Sequence, residues 1–184
     1  SVMAVGASTN SHYFTQGVRV LAPGAPSNLQ SIEGVFGDAP LPAGTVVAPL
    51  RDVSRLGNDG LACDPLPSGS LAGAFALILR GACTFAVKAG NAAAAGAAGV
   101  IFYMADPSPL IAPGGLTEAA IPAMMISNAD GLALKTYLAS NADALVAMDP
   151  DGREVVDGAL ADMLAAFSSL GPSTGGSLVK PELV

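Results

Sequence analysis

Charge is scarce in this chain. Asp, Glu, Lys and Arg together make up 12% of its 184 residues, while apolar residues make up 51%. That balance excludes a disordered segment, which needs abundant charge and little apolar material. The few charges lean acidic, with a net charge of −7, and no basic cluster breaks the pattern. A phosphate backbone would be repelled, so no nucleic-acid partner is expected. Aromatic residues are 5% of the chain and Trp is absent, so the core must come from Ala, Val, Leu, Ile and Met. Long apolar runs are also missing. The longest uncharged stretch, between Lys88 and Asp106, contains Asn91 and falls short of the ~20 apolar residues a spanning helix needs. No membrane segment is expected. Residues 1–10 show no basic region followed by an apolar run, hence no secretory signal there.

The chemistry-bearing residues are equally sparse. His12 is the single histidine, which leaves no base for a nucleophile–base pair in a recognisable setting and reads as a surface residue. Two cysteines, Cys63 and Cys83, are too few for a structural zinc site. They are either two buried thiols or one bridge closing a loop of about 20 residues, worth ~3 kcal/mol on the chain-entropy model. No Gly-x-Gly-x-x-Gly follows a strand, and Asp149–Gly152 with Glu154 and Asp157 does not meet the calcium-loop spacing. No cofactor and no metal is expected. Ser177 and Lys180 match Ser-x-x-Lys only by chance.

What is present is punctuated regularity. Val2–Ala7 reads as a buried strand, and residues 22–49 as short strands and turns. Residues 57–70 are loop chemistry. Ala74–Leu79 is a strand-length apolar run. Thr84 is placed as the N-cap of a helix over Phe85–Ala98 that Gly99 ends. Strands follow at Val100–Met104 and Pro122–Ile126, with a Pro/Gly loop over residues 106–120 between them. Asn128 is placed as the cap of a second helix, which buries Leu134, Tyr137 and Leu138. Leu145–Met148 is a strand, Asp149–Gly152 a turn, residues 153–162 a surface link and Ala165–Ser169 a short strand. The order β–α–β, β–α–β predicts an α/β layer beside a β-rich first part. Phe85 and Lys88 sit three apart on one helical face, so Phe85 can anchor while Lys88 reaches outward.

Residues 71–104 (LAGAFALILRGACTFAVKAGNAAAAGAAGVIFYM) resemble the signature of the protease-associated (PA) domain. The matching positions are Arg80, Gly81, Cys83, Phe85, Lys88, Ala92, Gly96, Ala97 and Gly99. A second block, Ile121-Pro122 through Ile126-Ser127 and then Asp130-Gly131 and Leu134, is similar to the family's later segment. The flanks resemble another family. Val2–Asn10 is similar to the subtilisin-like segment after the oxyanion-hole Asn. Phe167–Pro172 and Lys180–Val184 are similar to the segment before the nucleophilic Ser, with Leu170 and Glu182 as departures.

The resemblance implies an α/β fold of the swivelling β/β/α kind, a β-sandwich or open barrel layer flanked by helices. It implies a peptidase stub over residues 1–14, a PA domain over 15–155 with its signature core at 60–148, and a second stub over 156–184. Val2–Ala7 and Ala165–Ser169 should then lie near each other. The expected function is a non-catalytic module of a secreted subtilisin-like serine endopeptidase. It would modulate substrate access or peptide binding, or else act as a spacer or dimerisation element. No His-Gly-Thr or Gly-Thr-Ser setting occurs, so catalytic residues are expected only in the parent. Arg80, Gly81, Thr84 and Phe85 are the candidate peptide-binding residues, and Cys63 and Cys83 the candidate disulfide. Expected partners are peptide or protein substrates, the parent's own peptidase domain and a second copy of the chain.

Overall fold

A computed structural model describes residues 11–156 together with 158, 161 and 163. Val2–Ala7 and Ala165–Ser169 lie outside the described residues. By its internal contacts the chain divides into one unit of residues 15–152 and a second formed by 1–14 with 153–184. In the second unit, the described His12 and Glu154 are paired at 2.7 Å.

The first unit is built around three apolar runs. β4 (Phe75–Leu79), β5 (Gly99–Tyr103) and β6 (Ala123–Ile126) are parallel neighbours. They read as continuous apolar stretches because both faces are covered, as parallel strands require. Phe75, Leu77, Ile101, Tyr103, Met124 and Ile126 face one cluster, while Ala76, Ile78, Val100, Phe102, Ala123 and Met125 face another. β3 (Val46–Asp52) extends the parallel set beside β4. β7 (Leu145–Val156) pairs antiparallel with β3. β1 (His12–Val20) pairs antiparallel with β2 (Ile32–Phe36), and β2 with β6. The order β1-β2-β6-β5-β4-β3-β7 closes into a barrel. The fold is α/β with a barrel layer flanked by helices, as expected, and the barrel is closed. The amide of Leu21 donates to the carbonyl of Leu145 at 2.9 Å where the first and last strands meet.

Two helices cover the parallel strands. α1 (Phe85–Ala94) lays Ala89 and Ala92 on the outer cluster. α2 (Asn128–Ser140) sets Leu134 and Leu138 into the inner one, with Tyr137 packed against it. Thr84 caps α1, its hydroxyl accepting from the amide of Val87 at 3.4 Å. The expected helix end at Ala98 is corrected. α1 stops at Ala94 because the carbonyls of Ala95 and Gly96 are taken by the amides of Leu71 and Gly73. Gly96 turns the chain at φ +92°, where an L side chain is strained, and Gly99 opens the next strand rather than ending the helix.

The cap of α2 is Ser127, not Asn128. The Ser127 hydroxyl accepts from the amide of Asp130 at 3.0 Å. Asn128 instead donates from its side chain to the carbonyl of Met104 at 2.9 Å, tying the helix start to the end of β5. Asp149–Gly152 is also corrected: these residues, and Arg153–Val156 after them, continue β7. Pairing overrides the local turn chemistry there. Gln16 of β1 donates to the carbonyl of Pro150, and Arg19 pairs with Asp149 at 3.2 Å.

Candidate functional site

The signature residues gather where β4 leaves the sheet and α1 begins. Gly81 (φ 130°) and Ala82 (φ 58°) make the turn between them. The amide of Arg80 donates to the carbonyl of Tyr103 at 2.9 Å, holding the turn beside β5. Cys83, next in the chain, forms a disulfide with Cys63, with Cα atoms 5.7 Å apart.

The loop carrying Cys63 is organised from within. The Asn58 side-chain oxygen accepts from the amides of Gly60 and Ala62, both at 3.0 Å, and Asp59 accepts from the amide of Leu61 at 2.8 Å. The carbonyl of Gly60 receives the amide of Leu79, so the loop is fixed to the last residue of β4.

Helix α1 grips the same loop. Asn91 donates to the carbonyls of Ala62 (2.9 Å) and Cys63 (3.2 Å). Lys88 does not reach outward as expected. It is fully buried, and its ammonium donates to the carbonyl of Leu61 and lies 3.8 Å from the Cys63 sulfur. Burial pulls its pKa below the ordinary lysine value, and the charge of Asp59 acts weakly the other way. No carboxylate among the described residues comes within ion-pair distance of it.

The four candidate peptide-binding residues therefore share one loop but not one state. Thr84 is engaged as the helix cap. Phe85 is half-buried, its ring 4.9 Å from that of Phe102. Gly81 is exposed. The half-buried Arg80 makes no side-chain hydrogen bond to another described residue, and it acts electrostatically on Asp106. Asp106 is held below the usual carboxylate range, first by hydrogen bonds from the side chain and backbone of Ser108 and then by Arg80.

The neighbouring loop is also anchored. Asp38 accepts from the amides of Gly115 (2.9 Å) and Leu116 (2.7 Å), which holds its carboxylate below the usual range. Between that loop and α1 runs a groove of about 290 Å³ lined by Ala86, Gly90, Ala93, Leu116 and Glu118. Sequence reasoning missed Asp38 and Asn91. Polar residues acting on distant backbone leave no spacing signal.

On the α2 side, Asp52 is buried and 3.4 Å from the Lys135 ammonium. Its carboxylate accepts from the amide and hydroxyl of Ser54, and Lys135 also donates to Ser54 and Tyr103. Among the described residues no group of three or more His, Cys, Asp or Glu is placed to hold a metal ion.

A PA-domain family model matches residues 42–134, half of the chain, including the Cys63 loop, the turn at Gly81 and α1. The chain belongs to the PA-domain family. No curated protein sequence matches it. Solved structures resemble this PA domain in fold. A zinc aminopeptidase from Bacillus subtilis aligns with TM-score 0.54 and 23% identity, over 84% of this chain and 33% of its own. An aminopeptidase from Aneurinibacillus sp. strain AM-1 aligns with TM-score 0.50 and 22% identity, over 79% and 35%. A subtilisin-like protease, Apa1, from the Antarctic psychrotroph Pseudoalteromonas sp. AS-11 aligns with TM-score 0.46 and 17% identity, over 88% and 38%. The PA domain chain thus spans about a third of the length of each of these proteins. Within the PA domain, the signature positions Cys83 and Lys88 tie α1 to the 57–63 loop, while the half-buried Arg80 makes no side-chain hydrogen bond to another described residue.

Proposed function

We propose that this PA domain is the non-catalytic module of a secreted subtilisin-like serine endopeptidase and that it governs which peptide segments reach the parent's catalytic centre. The observation that carries the reading is the uncommitted Arg80 guanidinium on a loop made rigid by the Cys63–Cys83 bridge and by α1. A cation held in place beside the 106–118 loop suits a peptide carboxylate. The bridge is in keeping with an oxidising compartment. The flanking segments Val2–Asn10 and Phe167–Pro172, similar to subtilisin-like sequence on either side of the domain, support the parent class.

The gene read outward from both ends tests the parent. A His-Gly-Thr motif upstream and Gly-Thr-Ser downstream support it, and a zinc-peptidase ligand set overturns it. Deleting residues 108–116 from the full protease tests the role. Turnover of long substrates should change while a small chromogenic peptide is cleaved as before. An equal loss on both points to a structural role.

A second reading, docking on the parent's peptidase domain or on another copy, is favoured by one feature. Leu21, just after β1, is 40% exposed and its amide bonds Leu145 of β7, while Leu145 and Val47 of the neighbouring β3 are 50% and 52% exposed. Changing all three to Ser should leave the domain folded and alter its sedimentation if the patch pairs copies.

A further inference from the structure

The Lys88 side chain is buried, no carboxylate among the described residues lies within ion-pair distance of its ammonium, and a sulfur of the bridge is one of the two described acceptors it reaches. A buried cation served only by neutral acceptors is costly, and a disulfide sulfur is a weak acceptor. The second cysteine also sits in a field that favours an anion. Cys83 directly precedes the N-cap of α1, at the positive end of a ten-residue helix. Both cysteines are half-buried rather than enclosed.

We infer that the Cys63–Cys83 bridge is a site of reversible thiol–disulfide exchange, with a dithiol as its partner and Lys88 as the positioning residue that receives Cys63 as a thiolate. The dithiol's thiolate attacks the Cys83 sulfur. The Cys63–Cys83 bond breaks, and Cys63 leaves as a thiolate paired with the Lys88 ammonium. The dithiol's second thiol, giving its proton to solvent, attacks the mixed disulfide. Cys83 then leaves and takes up a proton. The bridge gains two electrons and the dithiol is oxidised to its cyclic disulfide. Attack falls on Cys83 because the better-stabilised thiolate is the better leaving group.

Reduction thereby supplies an anion in contact with Lys88. Asn91 continues to hold the carbonyls of Ala62 and Cys63, while the turn over residues 80–84 loses its tether to that loop. The state of the bridge sets how rigidly Arg80 is presented. The exchange itself does not depend on what Arg80 binds.

The test equilibrates the 184-residue chain and its Lys88→Met variant with reduced and oxidised dithiothreitol at about pH 8, then traps free thiols by alkylation and counts them by mass. An opposite charge at this distance lowers a thiol's pKa by about two units. Lys88→Met should therefore need about tenfold or more reductant relative to oxidant for half-reduction. Equal ratios for the two proteins overturn the proposal. If Lys88→Met does not fold, the Cys83→Ser variant decides. The pH profile of Cys63 alkylation should then show a pKa at least a unit below the ordinary value of about 8.5. A profile at or above that value overturns it.

Discussion

A β-carbon placed on Gly131 would stand 2.4 Å from the β-carbon of Tyr103. The first turn of α2 is therefore pressed directly onto β5, and the glycine is a condition of that approach. Alanine in a helix interior ordinarily gains ~1 kcal/mol over glycine. Overpacking against an atom that no rotamer change can move costs about 1–3 kcal/mol, and here it outweighs the gain. Gly131→Ala should lower stability by about 1–2 kcal/mol, read as a lower urea midpoint with an unchanged slope.

Asp38 fastens the 106–120 loop through the amides of Gly115 and Leu116. Its pKa is depressed by those two bonds, so the fastening is complete above the carboxylate's ordinary value and is lost as pH falls through the depressed one. Asp38→Asn should raise hydrogen exchange at Gly115 and Leu116 at neutral pH. The wild-type chain should show the same rise only in acid, below about pH 4.

Lys88 gives a pH dependence of the same sign, but in the alkaline range. Burial lowers its pKa in the folded chain, so between the folded and unfolded values the unfolded chain holds the extra proton. Stability then rises with pH across that interval. Comparing urea midpoints at about pH 7 and about pH 9.5, the wild type should gain on Lys88→Met. Other titrations cancel in the difference between the two proteins.

The buried Asp52 and the half-buried Lys135 form a network with Ser54. Asp52→Ala leaves the Ser54 amide without its acceptor and Lys135 without its carboxylate, with only the Ser54 and Tyr103 hydroxyls to donate to, at about 1–3 kcal/mol. A double-mutant cycle with Lys135→Met should return a favourable coupling energy. A coupling of zero would show that the 3.4 Å approach adds nothing to stability.

Much of the barrel could be read from the chain. β4, β5 and β6 appear as apolar runs because both their faces are covered, and Thr84 marks the start of α1 in the ordinary way. The misreadings have tertiary causes. α1 is shortened by amides of Leu71 and Gly73, residues more than twenty positions upstream. Asp149–Gly152 carries turn residues, but pairing with β1 keeps it extended. Lys88 was placed outward by its chemical type, although it falls on the same stripe as Phe85, Ala89 and Ala92. A lysine on an apolar stripe was the available signal for a buried cation. Asp38 and Asn91 had none, since their partners are backbone groups whose nearness only the folded chain creates.

Closure of the barrel has a consequence for recognition. A strand at the rim of an open sheet offers unpaired amides and carbonyls on which an extended peptide can lay itself as one more strand. Among the described residues, the order from β1 round to β7 leaves no such rim in the 15–152 unit. A peptide meeting this unit is therefore denied the generic, backbone-to-backbone mode of capture and must be held by side chains on the connecting loops. Discrimination between peptides then rests on a small number of loop positions, which can change from one relative to another without disturbing the strands beneath them.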